Sequence, residues 1–230
     1  MRGGEPTGTL VDVTLAAVLF DMDGTLIDSE KLWDIALRDL GASLGGALSA
    51  TARAATVGTS GARTMRIIQD DLGLPSIDLE AASLFLGTRM VELYADGVPW
   101  QPGAPELVDA VRAVGLPTAL VSNTPRPLVD VALRSMGAGR FDVVICGNEV
   151  PNTKPHPDPY LAAASALGVE PGACVVIEDS PVGLASGRAA GCRLLAVPND
   201  VQLSADDLAG ATLRHSLLEV DVDLLRALAR

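Results

Sequence analysis

An α/β fold, built on a doubly wound parallel sheet and interrupted by an all-helical insert, is predicted by three observations. Short apolar runs alternate with helical patterns, glycines fall where those helices should stop, and one long interval carries helical patterns alone. The first strand is the run Leu15-Ala16-Ala17-Val18-Leu19-Phe20, bounded downstream by Gly24. Residues 28–97 then hold no clear strand, only helical patterns over 29–40, 60–72 and 78–95. Ser29 is placed to cap the first of these, and Gly73-Leu74-Pro75 separates the second from the third. Gly97-Val98-Pro99 and Pro102-Gly103 form the return linker. Four further strands are expected at 118–121, 143–146, 174–177 and 194–197, with helices at 106–114, 128–136, 159–167 and 182–190. Gly115, Gly137, Gly168 and Gly191 mark the ends of those helices. The expected organisation is a core domain of residues 1–27 and 98–230 and an inserted helical domain of residues 28–97. Residues 1–12, with Gly3, Gly4, Pro6 and Gly8, read as a flexible extension.

Composition narrows the function classes. The chain has 230 residues, which suits one domain with an insertion or two small domains. It is 48% hydrophobic but only 3% aromatic, so the core must be mostly Ala, Val and Leu. Lys+Arg 17 against Asp+Glu 29 gives a net charge of −12, which disfavours nucleic acid as a partner. A small phosphorylated metabolite remains a suitable partner if its site is locally positive. Cys146, Cys174 and Cys192 each lie in an apolar, strand-like run, as expected of buried free thiols in a reducing compartment. No CxxC or Cys/His cluster suggests zinc. Residues 1–14 lack the pattern of a signal peptide, and the longest apolar run is too short for a bilayer. A cytoplasmic enzyme without membrane contact, monomeric or weakly dimeric, is the expectation.

Ligands of such a sheet bind beyond the carboxyl ends of its strands. The first strand is followed by Asp21-Met22-Asp23-Gly24-Thr25, and two carboxylates two residues apart on a regular strand would repel each other on one face. A cation, or chemistry needing both, would justify them. Ser122-Asn123-Thr124 follow the second strand, Gly147-Asn148-Glu149 and then Lys154-Pro155 the third, and Glu178-Asp179-Ser180 the fourth. Each group also suits a local role: a turn, a helix cap, a loop lysine, a helix start. Their coincidence at four strand ends argues for one site.

These groups, in this order, resemble the motifs of the haloacid dehalogenase superfamily of phosphotransferases, over nearly the whole chain. Asp21 through Thr25 is similar to the first motif, Ser122 to the second, Lys154 to the third, and Glu178-Asp179 to the fourth. The resemblance implies a Rossmann-like core with a subfamily I cap inserted after the first motif. It implies a Mg²⁺-dependent phosphatase acting on a small phosphate monoester through an aspartyl-phosphate. Asp21 is then the nucleophile, and Asp23 the acid that protonates the leaving alcohol and later the base toward water. Ser122, Asn123, Lys154 and Thr25 are implied to bind phosphate or orient the reacting groups. Mg²⁺ is implied to rest on Asp21, the main-chain carbonyl of Asp23 and Asp179, with Glu178 next to them binding it directly or through water.

Asp23 argues against dehalogenation, where a halide needs no acid. The alternative is a sugar phosphomutase resembling β-phosphoglucomutase. Trp33 stands where those enzymes carry a cap histidine, and in Val57-Gly58-Thr59-Ser60-Gly61 their arginine is replaced by Gly61, with Arg63 close by. Both differences favour hydrolysis. Asp28-Ser29-Glu30-Lys31-Leu32-Trp33-Asp34 is similar to the cap start of bacterial 2-deoxyglucose-6-phosphatase and of hexitol phosphatases, which implies a sugar or polyol phosphate as substrate. Arg63 and Arg66 are expected at the surface, His156 in a structural role beside Lys154, and His215 at the surface or on a helix cap.

Overall fold

The computed structural model describes residues 14–56, 61–199 and 201–230. Its strands are β1 (Ala17–Asp21), β2 (Thr118–Val121), β3 (Val143–Ile145), β4 (Cys174–Glu178), β5 (Arg193–Ala196) and β6 (Ala211–Leu213). They form one parallel sheet in the order β3-β2-β1-β4-β5-β6. The order reverses direction at β1, so the crevice beyond β1, β2 and β4 is the topological switch point where such sheets bind ligands. β1 and β4 pair from Ala17↔Cys174 to Phe20↔Ile177, which leaves their last residues, Asp21 and Glu178, side by side.

Helices α5 (Ala104–Ala113), α6 (Arg126–Met136), α7 (Asp158–Leu167), α8 (Pro181–Ala189) and α9 (Val222–Leu228) cover the sheet. A strand buried on both faces sends alternate side chains into two cores. Val18 and Phe20 of β1 enter a cluster with Leu107, Val129 and Met136 of α5 and α6, while Ala17 and Leu19 enter a second with Tyr160, Ala163 and Leu184 of α7 and α8. Gly115, Gly137, Gly168 and Gly191 all adopt positive φ, as the helix ends require. All three cysteines are buried free thiols.

The helical interval contains α1 (Glu30–Ser43), α2 (Ala50–Thr56), α3 (Gly61–Asp71) and α4 (Leu79–Ala95). Its two connections to the sheet run side by side. Asp28 N–H donates to Pro99 O at 2.8 Å, Gln101 N–H donates to Leu26 O at 2.8 Å, and Ile27 pairs antiparallel with Trp100. α4 packs against α1 within the insert and against α6 of the core. One apolar cluster runs through the junction, joining Met22 and Leu26 to Leu37, Leu40 and Met90.

Several expectations need correction. The sheet has a sixth strand, β6, and the insert a further helix, α2; α9 was also unforeseen. All three elements are short, at three, seven and seven residues, too short to carry a periodic pattern. Ser29 stands at the N-cap position of α1 but has helical backbone angles and makes no side-chain cap bond, so it does not cap. It is buried instead, 1% exposed. The extension at 1–12 and residues Val57, Gly58, Thr59 and Ser60 lie outside the described residues. Among the described residues, no helix is long and apolar enough to cross a membrane.

α4 has a true cap: the Asp78 carboxylate accepts from the Glu80 and Ala81 N–H groups at 3.1 and 3.0 Å. Asp78→Ala is expected to lower stability by about 1 kcal/mol, and Asp78→Asn by much less, measured by urea unfolding.

Candidate active site

Asp21 is carried to the carboxyl edge as the last residue of β1 and is 6% exposed. Lys154 arrives from the loop between β3 and α7, with its side chain 3% exposed. The ammonium donates to Asp21 Oδ1 at 2.6 Å, Glu178 Oε1 at 2.7 Å and Val121 O at 2.9 Å. All three of its protons therefore have partners. Burial works against this charge, but the Asp21 and Glu178 carboxylates outweigh it and hold the lysine above its ordinary pKa. The ammonium also lies 4.9 Å from the centre of the Tyr160 ring.

Glu178 is fully buried, and both its oxygens have donors. Oε1 accepts from Lys154 and from the Tyr160 hydroxyl at 2.8 Å, and Oε2 accepts from Ser180 Oγ at 3.0 Å and Ser180 N at 3.3 Å. The carboxylate fills the space above Gly183, where a Cβ would meet Oε1 at 1.7 Å. Only a glycine at the start of α8 leaves that space open. Glu178, expected beside the metal, keeps an oxygen within the acidic cluster, while its hydrogen bonds tie it to Lys154 and to the start of α8.

Asp21, Glu178 and Asp179 form a cluster whose carboxylate oxygens lie within 4.8 Å of one another. Asp179 Oδ1 accepts from the Thr25 hydroxyl at 3.1 Å. Gly24, at φ 87°, makes this approach possible, since a Cβ there would lie 2.3 Å from Asp179 Oδ2. Three carboxylates against one ammonium leave negative charge uncompensated. Burial and the Glu178 carboxylate accordingly push Asp21 up to about 7, against the pull of Lys154. Burial, then Asp21 and Glu178, push Asp179 well above the usual range. Asp21 Oδ2 is buried with no hydrogen-bond partner among the described residues. A buried, unpaired carboxylate oxygen beside surplus negative charge fits a divalent cation held by hard oxygen donors.

Asp23 faces elsewhere. Its Oδ2 accepts from the Ser122 hydroxyl at 3.1 Å and the Thr124 hydroxyl at 2.8 Å, and its Oδ1 accepts from the Tyr94 hydroxyl at 3.0 Å. The expected repulsion between Asp21 and Asp23 is thus relieved by giving each carboxylate its own donors. Burial first, then the Asp23 charge, keeps the Tyr94 hydroxyl protonated.

Two expected phosphate ligands have other partners. Ser122 directs its hydroxyl at Asp23, and its Oγ accepts from Thr124 N at 2.9 Å. Asn123 grips the main chain of Lys154 from both sides, Oδ1 accepting from Lys154 N at 2.9 Å and Nδ2 donating to Lys154 O at 3.2 Å. Asn148 and Glu149 belong to the entry of α6, bonding Arg126 at 2.8 and 2.6 Å. Trp33 packs partly buried against the apolar cluster, while Arg63, Arg66, His156 and His215 are exposed.

Sequence reasoning missed Tyr94 and Tyr160. They are the only two tyrosines of the chain, both among its largest fully buried side chains, and each donates to a site carboxylate. Their scarcity was the available signal. Arg53 was also missed; its guanidinium, 13% exposed, joins α2 to Glu30 and Asp34 of α1.

The chain has relatives among known proteins. The chain is 37% identical to protein CbbY of Rhodobacter capsulatus over 210 residues, covering 87% of this chain and 92% of that protein. It is 34% identical to hexitol phosphatase B of Escherichia coli over 190 residues, covering 80% of this chain and 84% of that protein. The crystal structure of CbbY from Rhodobacter sphaeroides in complex with phosphate superposes with a TM-score of 0.77 at 28% identity, covering 92% of this chain and 99% of the other. Residues 15–191, which carry every carboxylate of the site and Lys154, match the haloacid dehalogenase-like hydrolase family, and the chain belongs to it.

Proposed function

We propose that this hydrolase is a Mg²⁺-dependent phosphatase that cleaves a small phosphate monoester, of the sugar or polyol class, through an aspartyl-phosphate on Asp21. The observation that carries the reading is the division between the two aspartates. Asp21 offers a buried, unpaired Oδ2 while Lys154 holds Oδ1, and Asp23 is held apart by hydroxyl donors. Membership of the family and a polyol-phosphate relative support the substrate class.

In this reading Asp21 attacks phosphorus, forming a carboxylate O–P bond as the P–O bond to the substrate breaks. Asp23 gives its proton to the departing alkoxide, then takes one from the water that hydrolyses the aspartyl-phosphate. Lys154 keeps Asp21 oriented and balances charge on the phosphoryl group. Asn123 acts by fixing Lys154 through its main chain, and Glu178 by holding the ammonium from the other side. Asp21, the Asp23 carbonyl and Asp179 would hold the cation, with Thr25 orienting Asp179. Mg²⁺ bound there supplies the positive charge that lets a phosphate approach a carboxylate cluster. Residues 28–97 are the cap, and their side chains select the alcohol. Trp33, packed into the apolar cluster where the mutases carry histidine, fits hydrolysis.

Purified protein with Mg²⁺ is expected to release inorganic phosphate from p-nitrophenyl phosphate and from members of a sugar and polyol phosphate panel. Asp21→Asn is expected to abolish that release, and chelation by EDTA to suppress it until Mg²⁺ is restored. Full activity in Asp21→Asn would sink the mechanism, and isomerised sugar phosphate without released phosphate would favour a mutase. Asn123→Ala removes both bonds to the Lys154 main chain and is expected to lower kcat about 10- to 100-fold while the protein stays folded, measured by steady-state kinetics beside circular dichroism.

A further inference from the structure

We propose that Tyr94, from the last turn of α4, positions Asp23 and so makes proton transfer to the leaving group depend on the seating of the helical insert. This inference rests on the phosphatase reading above. Asp23 follows β1 and lies outside the regular sheet, so its side chain is oriented by its hydrogen bonds. Two of the three hydroxyls that hold it, Ser122 and Thr124, come from the loop after β2 and share Oδ2. Bonds to a single oxygen leave the carboxylate free to pivot about that atom. The Tyr94 hydroxyl, at 3.0 Å from Oδ1, is the contact that stops the pivot.

Tyr94 is well placed to hold a fixed position. It is 1% exposed and packs in the apolar cluster with Met90 and Leu37. Ser29, at the other connection of the insert, is likewise buried at 1% exposure. α4 in turn packs on α1 and on α6 of the core. Among the described residues, Asp23 has three hydroxyl donors, and Tyr94 is the one delivered by the insert, 71 residues along the chain. In the phosphatase reading the insert is the cap, and it thereby holds the group that protonates the substrate's alcohol. Proton transfer is sensitive to placement at this scale, since a donor or acceptor must lie within hydrogen-bond reach of the atom it serves.

The role predicts a dependence on the leaving group. Phenol is a poor leaving group and needs the acid, whereas p-nitrophenol departs readily as its anion. Because kcat/KM reports on steps up to phosphorylation of Asp21, it isolates the acid role from the later attack of water. Tyr94→Phe is expected to lower kcat/KM for phenyl phosphate about tenfold and leave that for p-nitrophenyl phosphate within twofold. Asp23→Asn is expected to lower kcat/KM for both esters, and that for phenyl phosphate by the larger factor. An equal fall for both esters, no change for either, or loss of the fold in Tyr94→Phe would overturn the positioning role, since deleting one hydroxyl leaves the ring's packing intact. A wild-type protein that hydrolyses neither ester overturns the phosphatase reading, and this inference with it. Wild-type activity with an unselective Tyr94→Phe overturns this inference alone.

Discussion

The Lys154 ammonium, buried between Asp21 and Glu178, is the interaction on which the rest of the site depends. Parallel pairing of β1 with β4 ends both strands on a carboxylate, and these lie side by side in a region sealed from water. Two like charges so placed need a counter-charge, or they neutralise by binding protons. Lys154 provides it from a third strand end, and its remaining proton goes to the Val121 carbonyl on a fourth element. Removing one partner would leave a buried charge unpaired, which costs far more than the pair contributes relative to an apolar replacement. The surrounding groups are consistent with that constraint: Asn123 grips the lysine's main chain, Tyr160 holds Glu178, and Gly183 leaves room for its carboxylate.

One ammonium does not balance three carboxylates, and the imbalance is itself informative. It raises Asp21 and Asp179 through burial and mutual repulsion, and it coincides with the unpaired Oδ2 of Asp21. A metal-assisted nucleophile needs such an oxygen, unpaired by the protein and aimed where charge will arrive. Asp23 lies only two residues away yet has a separate set of donors, all hydroxyls. A hydroxyl can turn to donate or to accept, which an ammonium cannot do.

The insert is joined to the sheet by a narrow paired neck at Leu26–Asp28 and Pro99–Gln101, but its apolar cluster is continuous with the core. The insert and the carboxyl edge of the sheet therefore share a mechanical support. The chain's two tyrosines mark the two carboxylates so served, Tyr94 at Asp23 and Tyr160 at Glu178.

By itself the sequence determined most of the local elements and which polar groups stand at the strand ends. Apolar runs, helix-ending glycines and the four polar strand ends are each encoded within a few residues, and strand order in a doubly wound sheet brings the strand ends to one edge. Short elements such as β6 and α2 escaped because three to seven residues hold too little periodicity to read. Only the tertiary structure decided which group bonds which. Ser122 and Asn123 both lie at the predicted strand end, yet one serves Asp23 and the other the Lys154 main chain; Glu178 belongs to the lysine as much as to the acidic cluster; and Tyr94 reaches Asp23 from 71 residues away. A hydrogen bond depends on distance and direction to the ångström, and contacts between elements far apart in the chain acquire both only when the elements pack.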